Sequence, residues 1–257
     1  MNLIRTTREL QGLRTAVLGS TSGIGRAIAI ALADAGADVI IHGRKSRDAA
    51  EVVASEVRSR GSRSLVLTAD LEDRAACDRL ASDAWNAWDG LDAWLQIAGA
   101  DILTGSDREL DFDSKLDLLL AVDLVATIRM TREIGRRMLR VGSGSIVTMG
   151  WDQAETGMEG DSGELFSATK GAILAFTKSL ALSLAPAVRV NSIAPGWIKT
   201  SWGENTSTLW NERVIRETPL RRWGTPEDVA DVACFLVGPR ATFLTGQVIR
   251  VNGGAVR

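Results

Sequence analysis

A glycine-rich segment near the start of the chain has the residue types and spacing of a phosphate-binding turn. It reads Gly19-Ser20-Thr21-Ser22-Gly23-Ile24-Gly25 and lies between a strand-like run and a helix-like run. Such glycines allow a tight turn, a close approach of the backbone to a pyrophosphate, and close packing of a helix whose N-terminus attracts phosphate. In this position the triplet predicts a dinucleotide site rather than a ligand-free turn. The residues expected to bind the cofactor here are Gly19, Thr21, Ser22, Gly23, Ile24 and Gly25.

The end of the second strand-like run indicates which dinucleotide binds. This run ends at His42-Gly43-Arg44-Lys45. A carboxylate at this place would accept hydrogen bonds from the ribose hydroxyls of NAD, whereas an arginine accommodates a 2′-phosphate. The tetrapeptide holds two cations and no carboxylate, so it favours NADP(H) over NAD(H), with Arg44 as phosphate ligand. The alternative is that Arg44 is an ordinary loop arginine.

Other chemistries are excluded by residue types that the chain lacks. It contains no tyrosine, so no phenol can donate or accept a proton anywhere in it. The single histidine, His42, excludes a histidine-based metal cluster. The two cysteines, Cys77 and Cys234, are too far apart in sequence for a CxxC metal or redox site, and we expect no metal.

Strand-like and helix-like segments alternate along the chain. Short β-branched or apolar runs predict strands at Thr15–Leu18, Val39–Ile41, Ser64–Leu67, Ala93–Ile97, Ser145–Met149, Val188–Asn191 and Gln247–Val251. Helical periodicity predicts helices at Gly23–Ala35, Ala49–Arg60, Arg74–Trp88, Ser114–Leu139, Leu165–Leu184 and Pro226–Leu236. This alternation predicts an α/β fold with a single doubly wound, Rossmann-type parallel sheet of seven strands and helices on both faces.

Composition indicates one globular domain over residues 1–257. The net charge of −2 implies no basic face for nucleic acid, and no segment approaches the 18 uncharged apolar residues typical of a membrane span. We therefore expect a cytoplasmic protein without nucleic-acid or membrane partners. The segments Leu116–Met130 and Ala172–Leu184 are apolar on more than one face, which predicts a homo-oligomer, either a dimer or a tetramer; a covering loop is the alternative.

Further motifs follow in an order that resembles the short-chain dehydrogenase/reductase family, and within it the members similar to 3-oxoacyl-carrier-protein reductases. They are Asp70-Leu71, Ala98-Gly99, Pro195-Gly196-Trp197-Ile198-Lys199-Thr200, Gly224–Ala230 and Thr245–Gly254. The resemblance covers nearly the whole chain. It implies that Asp70 and Leu71 contact adenine and that a substrate lid spans about residues 197–222. It also implies cofactor contacts from Ala98, Gly99, Lys170, Pro195, Gly196 and Ile198.

The same resemblance implies an oxidoreductase whose usual proton-transfer groups are missing. Members of the family move a hydride between nicotinamide and a carbonyl or alcohol carbon, using a Tyr, a Lys four residues later, a Ser and an Asn. Here the Tyr and Lys positions fall on Phe166 and Lys170, the Ser position on Trp151 and the Asn position on Asp123. A phenylalanine cannot donate a proton. Tyr-dependent carbonyl reduction should therefore be absent or severely weakened, leaving Lys170 and Asp123 as catalytic candidates.

Three functions remain open from the sequence. The chain could be an atypical NADP(H) oxidoreductase, a non-catalytic NADP(H)-binding sensor or scaffold with a small-molecule ligand, or a structural partner in a hetero-oligomer. Lys170 could act as an acid or only hold the nicotinamide ribose. Asp123 could pair with Lys170 or hold a relay water, and its alternative is a solvated helix carboxylate or an acceptor for an N–H group. The residues expected to line the substrate pocket are Trp151, Phe166, Trp197 and Trp202, whose alternative role is lid and core packing.

Overall fold

The fold is built around one parallel sheet. The computed structural model describes residues 8–204 and 206–256, apart from the side chain at position 202. Its strands are β1 (Arg14–Leu18), β2 (Asp38–Gly43), β3 (Ser64–Thr68), β4 (Ala93–Gln96), β5 (Gly144–Met149), β6 (Val188–Pro195) and β7 (Val248–Val251). Their order is β3-β2-β1-β4-β5-β6-β7 and every neighbouring pair is parallel. Strands β2 and β3 are added on one side of β1, and β4 to β7 are added on the other side, so the strand order reverses between β1 and β4. In sheets of this kind ligands bind beside that switch point, at the carboxyl ends of the strands.

Helices connect successive strands. They are α1 (Gly23–Asp34), α2 (Arg47–Ser59), α3 (Arg74–Asn86), α4 (Phe112–Leu119), α5 (Thr127–Val141), α6 (Asp161–Leu184), α7 (Ser201–Glu204), α8 (Thr208–Glu217) and α9 (Pro226–Val237). Short 3-10 turns lie at Asp107–Glu109, Asp152–Ala154 and Pro239–Ala241. Among the described residues, no helix combines the length and apolar character that crossing a bilayer requires.

The two faces of the sheet carry separate apolar cores. On one face, side chains of α1, α2 and α9, such as Ile28, Val53 and Val229, pack on the sheet. On the other face, α3 to α6 contribute side chains such as Leu119 and Ile134. Helices therefore cover both faces, and the predicted doubly wound α/β fold with seven parallel strands is confirmed.

Helix starts follow capping chemistry in most connections. Ser46 accepts a hydrogen bond from the Ala49 amide at the start of α2, and Thr225 forms a reciprocal capping box with Asp228 at the start of α9. Helix α1 differs, because within the described part of the chain no side chain caps it at Ser22. Its first amide N–H groups are therefore available to a ligand.

The predicted long helix at Ser114–Leu139 is interrupted. Residues Leu120–Ala126 form a π-helical segment between α4 and α5. Asp123 lies in the middle of this segment. An inserted residue widens the helix locally and re-aims side chains, and such segments occur frequently at functional sites.

Candidate active site

The glycine-rich turn lies between β1 and α1 and is packed too tightly for side chains at two positions. Gly19 has φ +75, and a Cβ placed there would lie 2.7 Å from Ala98 Cα in the turn after β4. A Cβ at Gly25 would lie 2.1 Å from the Gly19 carbonyl oxygen. These contacts bring the turn after β1, the start of α1 and the turn after β4 into one surface.

His42 anchors this turn from inside the protein. The Gly19 amide donates to His42 Nδ1 at 3.2 Å, and the opposite ring nitrogen, Nε2, lies 3.1 Å from the Ala69 carbonyl. This arrangement assigns the proton of a neutral ring to Nε2. Burial lowers the pKa of His42 to about 4, although the Ala69 carbonyl acts in the opposite direction. His42 is therefore a neutral structural group that fixes the turn.

A cavity of about 740 Å³ opens at the carboxyl ends of β1, β2, β3 and β4, beside the free start of α1. Eleven of the residues predicted to bind a cofactor line it: Gly19, Thr21, Ser22, Gly23, Ile24, Gly25, Arg44, Asp70, Leu71, Ala98 and Gly99. The other four, Lys170, Pro195, Gly196 and Ile198, lie beyond this lining, on α6, at the end of β6 and in the segment that follows.

Carboxylates surround the predicted phosphate ligand Arg44. Its Nε donates to Asp70 Oδ2 at 3.0 Å, and its Nη2 donates to Glu72 Oε1. Burial, the largest single effect, acts to lower the pKa of the Arg44 guanidinium, but Asp70, Glu72 and Asp107 together outweigh it and raise the pKa. Arg44 is thus a permanent cation whose Nε and Nη2 groups already donate to carboxylates.

A buried ion pair joins the two predicted catalytic residues. Lys170 Nζ on α6 lies 2.7 Å from Asp123 Oδ2, and their side chains are only 11% and 1% exposed. The other carboxylate oxygen of Asp123 accepts a hydrogen bond from the Ala100 amide at 2.7 Å. The pair therefore links α6 and the π-helical segment to the turn after β4, which lines the cavity.

An aromatic pair includes Phe166, which lies one helical turn before Lys170 on α6. The rings of Trp151 and Phe166 meet edge to face, with centroids 6.1 Å apart and an interplanar angle of 62°. Phe166 lies four residues before Lys170, so both side chains project from the same face of α6. The structure brings Trp151 and Phe166 into contact, and neither ring carries an ionisable group.

The two ends of the segment predicted to be a lid lie side by side. Ile198 and Gly224 form a parallel β-bridge, and the Gly224 amide donates to the Trp197 carbonyl at 2.9 Å. Within this closed segment, the ring of Trp197 lies 5.4 Å from that of Trp210 and 6.5 Å from that of Trp223. Trp202 lies on α7, but its side chain is outside the described part of the structure.

Asp152 is a buried carboxyl group that the sequence analysis did not identify. It follows Trp151, and its Oδ2 accepts a hydrogen bond from Asn252 Nδ2 at 3.0 Å and would lie 2.9 Å from a Cβ at Gly196. Among the described residues, nothing donates a hydrogen bond to its other oxygen. Burial raises the pKa of Asp152 to about 6, against the opposing effect of Asn252.

Sequence reasoning also missed cavity residues that lie outside the recognised motifs. Asp101, Asp107 and Glu204 line the cavity together with Lys199 and Thr200, which lie in a segment already considered for its Pro-Gly pair. The acidic residues gave no local signal because isolated carboxylates in loops are common on protein surfaces. Within the described residues, no group of three or more His, Cys, Asp or Glu side chains could hold a metal ion.

Comparisons with known proteins find relatives over nearly the whole chain. A profile of the family described as enoyl-(acyl carrier protein) reductase matches residues 19–256. The chain is 37% identical to the 3-oxoacyl-(acyl-carrier-protein) reductase FabG of Aquifex aeolicus, covering 96% of this chain and 98% of that protein.

Solved structures with the same fold were crystallised with dinucleotides. A short-chain dehydrogenase from Burkholderia cenocepacia in complex with NADP is 32% identical, with a TM-score of 0.86 and coverage of 96% of this chain and 99% of that one. A 7α-hydroxysteroid dehydrogenase complexed with NADH and 7-oxo glycochenodeoxycholic acid is 26% identical, with a TM-score of 0.88 and coverage of 97% and 96%. From its motifs, its sheet and these relatives, the chain belongs to the short-chain dehydrogenase/reductase family.

Proposed function

We propose that the protein is an atypical oxidoreductase of this family that binds NADP(H) and in which Tyr-dependent carbonyl reduction is absent or severely weakened. The observation that supports NADP(H) binding is the cavity beside the uncapped start of α1. Gly19 and Gly25 line this cavity and leave no room for a Cβ. That shape fits a pyrophosphate. The NADP complex of the Burkholderia relative supports the same cofactor here.

The chain's own residues divide the work of holding the cofactor. The turn from Gly19 to Gly25 and the first amides of α1 would bind the pyrophosphate, and Arg44 would bind the 2′-phosphate. Asp70 and Leu71 would contact adenine. When bound, the nicotinamide supplies or accepts the hydride. Lys170, whose charge Asp123 balances at 2.7 Å, would donate hydrogen bonds to the nicotinamide ribose with its remaining N–H groups.

The catalytic part of the proposal depends on the aromatic pair. Trp151 and Phe166 pack against each other, with Phe166 four residues before Lys170 on α6, and they offer no hydroxyl to a substrate oxygen. General acid catalysis contributes about 10²- to 10⁴-fold, and an oxyanion donor about 10²- to 10³-fold. We therefore expect little or no turnover of ordinary carbonyl substrates.

Cofactor binding is tested by thermal unfolding with NADPH. Ligand at about 100 times its Kd should add about 2.7 kcal/mol to the free energy of unfolding. Lys170→Ala should weaken this stabilisation, whereas Lys178→Ala, a more exposed lysine on the same helix, should not. An unchanged unfolding temperature at millimolar NADPH would contradict NADP(H) binding.

Catalysis is tested by rebuilding the missing groups. The double substitution Phe166→Tyr and Trp151→Ser should raise NADPH oxidation across a panel of carbonyl compounds by at least about tenfold, a part of the about 10²- to 10⁴-fold that a general acid provides. Stabilisation by NADPH without turnover in either protein would instead favour a non-catalytic, cofactor-binding function. Rapid wild-type turnover would contradict the proposed loss of activity.

A further inference from the structure

Carboxylates cluster around Arg44, the cation proposed to bind the 2′-phosphate at the adenosine end of the cavity. Arg44 lines this end, and its side chain is 45% exposed. Its Nε donates to Asp70 Oδ2 at 3.0 Å and its Nη2 to Glu72 Oε1, while Lys45 Nζ lies 3.9 Å from Asp70 Oδ2. Asp107 also lines the cavity and contributes its field at Arg44. Two cations therefore face three carboxylates.

Asp70 and Glu72 are held differently. Asp70 Oδ1 accepts a hydrogen bond from the Glu72 amide at 3.2 Å, so the Asp70 carboxylate is fixed by the backbone as well as by Arg44. The Glu72 side chain is 42% exposed, and its contact in the described part of the chain is with Arg44. Glu72 does not line the cavity, and its side chain contacts the site through the Arg44 guanidinium.

A guanidinium binds a phosphate monoester through paired N–H groups, and the Nη2 group is one of those donors. This nitrogen already donates one of its two N–H groups to Glu72. A 2′-phosphate bound to Arg44 would have to displace the Glu72 carboxylate or lie beside it, and two like charges in contact repel. NAD(H) carries a hydroxyl at this position and does not require the Nη2 group.

We infer that Glu72 competes with the 2′-phosphate for Arg44 and thereby reduces the preference of the protein for NADP(H) over NAD(H). This inference rests on the proposed function, because it requires the dinucleotide to bind with its adenosine ribose beside Arg44. It assigns to Glu72 a role in cofactor selectivity without a direct contact to adenine or to the reacting atoms.

Calorimetric titration of wild type and Glu72→Gln with NADPH and with NADH tests the inference. Glu72→Gln should bind NADPH about tenfold more tightly, the size expected when the phosphate no longer has to replace a carboxylate in a charge-assisted hydrogen bond from Arg44. Its Kd for NADH should stay within about twofold of the wild-type value, since no phosphate displaces Glu72 in that complex.

Glu51→Gln is the matched control. Glu51 is 41% exposed and pairs with Arg47 and Arg58 on α2, so its removal changes the net charge equally without touching Arg44. It should leave the ratio of the two Kd values unchanged. In an Arg44→Gln background, Glu72→Gln should change the Kd for NADPH by less than about threefold, because the contested cation is gone.

The outcomes separate the inference from the proposed function. A wild-type protein that binds neither dinucleotide overturns both. If wild type binds NADPH but Glu72→Gln tightens NADPH and NADH equally, or tightens neither, cofactor binding stands and the role of Glu72 is wrong. A full effect of Glu72→Gln in the Arg44→Gln background would show simple charge repulsion and would also overturn competition for Arg44.

Discussion

Two buried titratable side chains near the candidate site have pKa values shifted in opposite directions. His42 is 2% exposed and Asp152 is 1% exposed. In each case, loss of water disfavours the charged form. Burial thus lowers the pKa of His42 to about 4 from 6.5 and raises the pKa of Asp152 to about 6 from 3.8.

These shifts affect stability in opposite directions over nearly the same pH range. The lowered pKa of His42 removes stability as pH falls from about 6.5 to 4, because the unfolded chain takes up the proton first. The raised pKa of Asp152 removes stability as pH rises from about 3.8 to 6, because the unfolded chain releases its proton first. Each contribution is about 3 kcal/mol, so in the wild type the two largely cancel.

Asp152→Asn should make the pH-dependent contribution of His42 to the free energy of unfolding measurable on its own. The amide does not titrate, so the free energy of unfolding should fall by up to about 3 kcal/mol between pH 6.5 and 4, more steeply than in the wild type. Urea denaturation at half-unit pH intervals measures this. Asp161→Asn, which removes an exposed carboxyl group at the start of α6, should follow the wild-type curve. Parallel curves for Asp152→Asn and wild type would contradict the prediction.

At the scale of elements, the periodicity of the sequence predicted the strands to within a few residues, but it could not predict where helices are distorted. The π-helical segment around Asp123 is one example, since one inserted residue leaves the apolar pattern of the long helix nearly unchanged. The early start of α6, at Asp161 instead of the predicted Leu165, is another. Its first turn is polar and gives little periodic signal.

Two glycines on α6 should respond in opposite ways to the same substitution. A Cβ at Gly163 would lie 2.3 Å from the backbone oxygen of Met158, whereas one at Gly171 meets only the Ala154 oxygen at 3.6 Å. Gly163→Ala should lower the free energy of unfolding by about 1–3 kcal/mol through the forced shift of the preceding loop. Gly171→Ala should raise it by about 0.5–1 kcal/mol through helix propensity. Chemical denaturation of both variants checks the pair, and equal effects would contradict it.

For the whole molecule, alternation of strands and helices was sufficient to predict the sheet, because parallel strands need helical crossovers. Asp123 was already a candidate partner for Lys170, but the pairing of Arg44 with Glu72 was not predicted. The first pair is 47 positions apart and the second 28, and both depend on how complete elements pack. Residue types therefore indicated which groups were candidates, and only the folded chain indicated which of them meet.

The predicted homo-oligomer is a property of the whole molecule that can be measured directly. Leu182, on one of the two apolar segments behind that prediction, is 84% exposed. Light scattering of the wild type should give the mass of a dimer or a tetramer, and Leu182→Glu should lower it, because a carboxylate in an apolar contact is costly. Val52→Glu changes another exposed apolar residue, on α2, and should leave the mass unchanged. A monomeric wild type would contradict the prediction.

The wide spread of the cavity lining along the chain also affects biosynthesis. The cavity takes its walls from residues between Gly19, just after β1, and Glu227, at the start of α9. At about 5 to 20 residues per second, a ribosome needs about 10 to 40 s to make the residues between these two positions. A nascent chain therefore has no complete cavity until almost all of it has been translated, and a prematurely terminated fragment gains no stabilisation from a ligand that needs every wall.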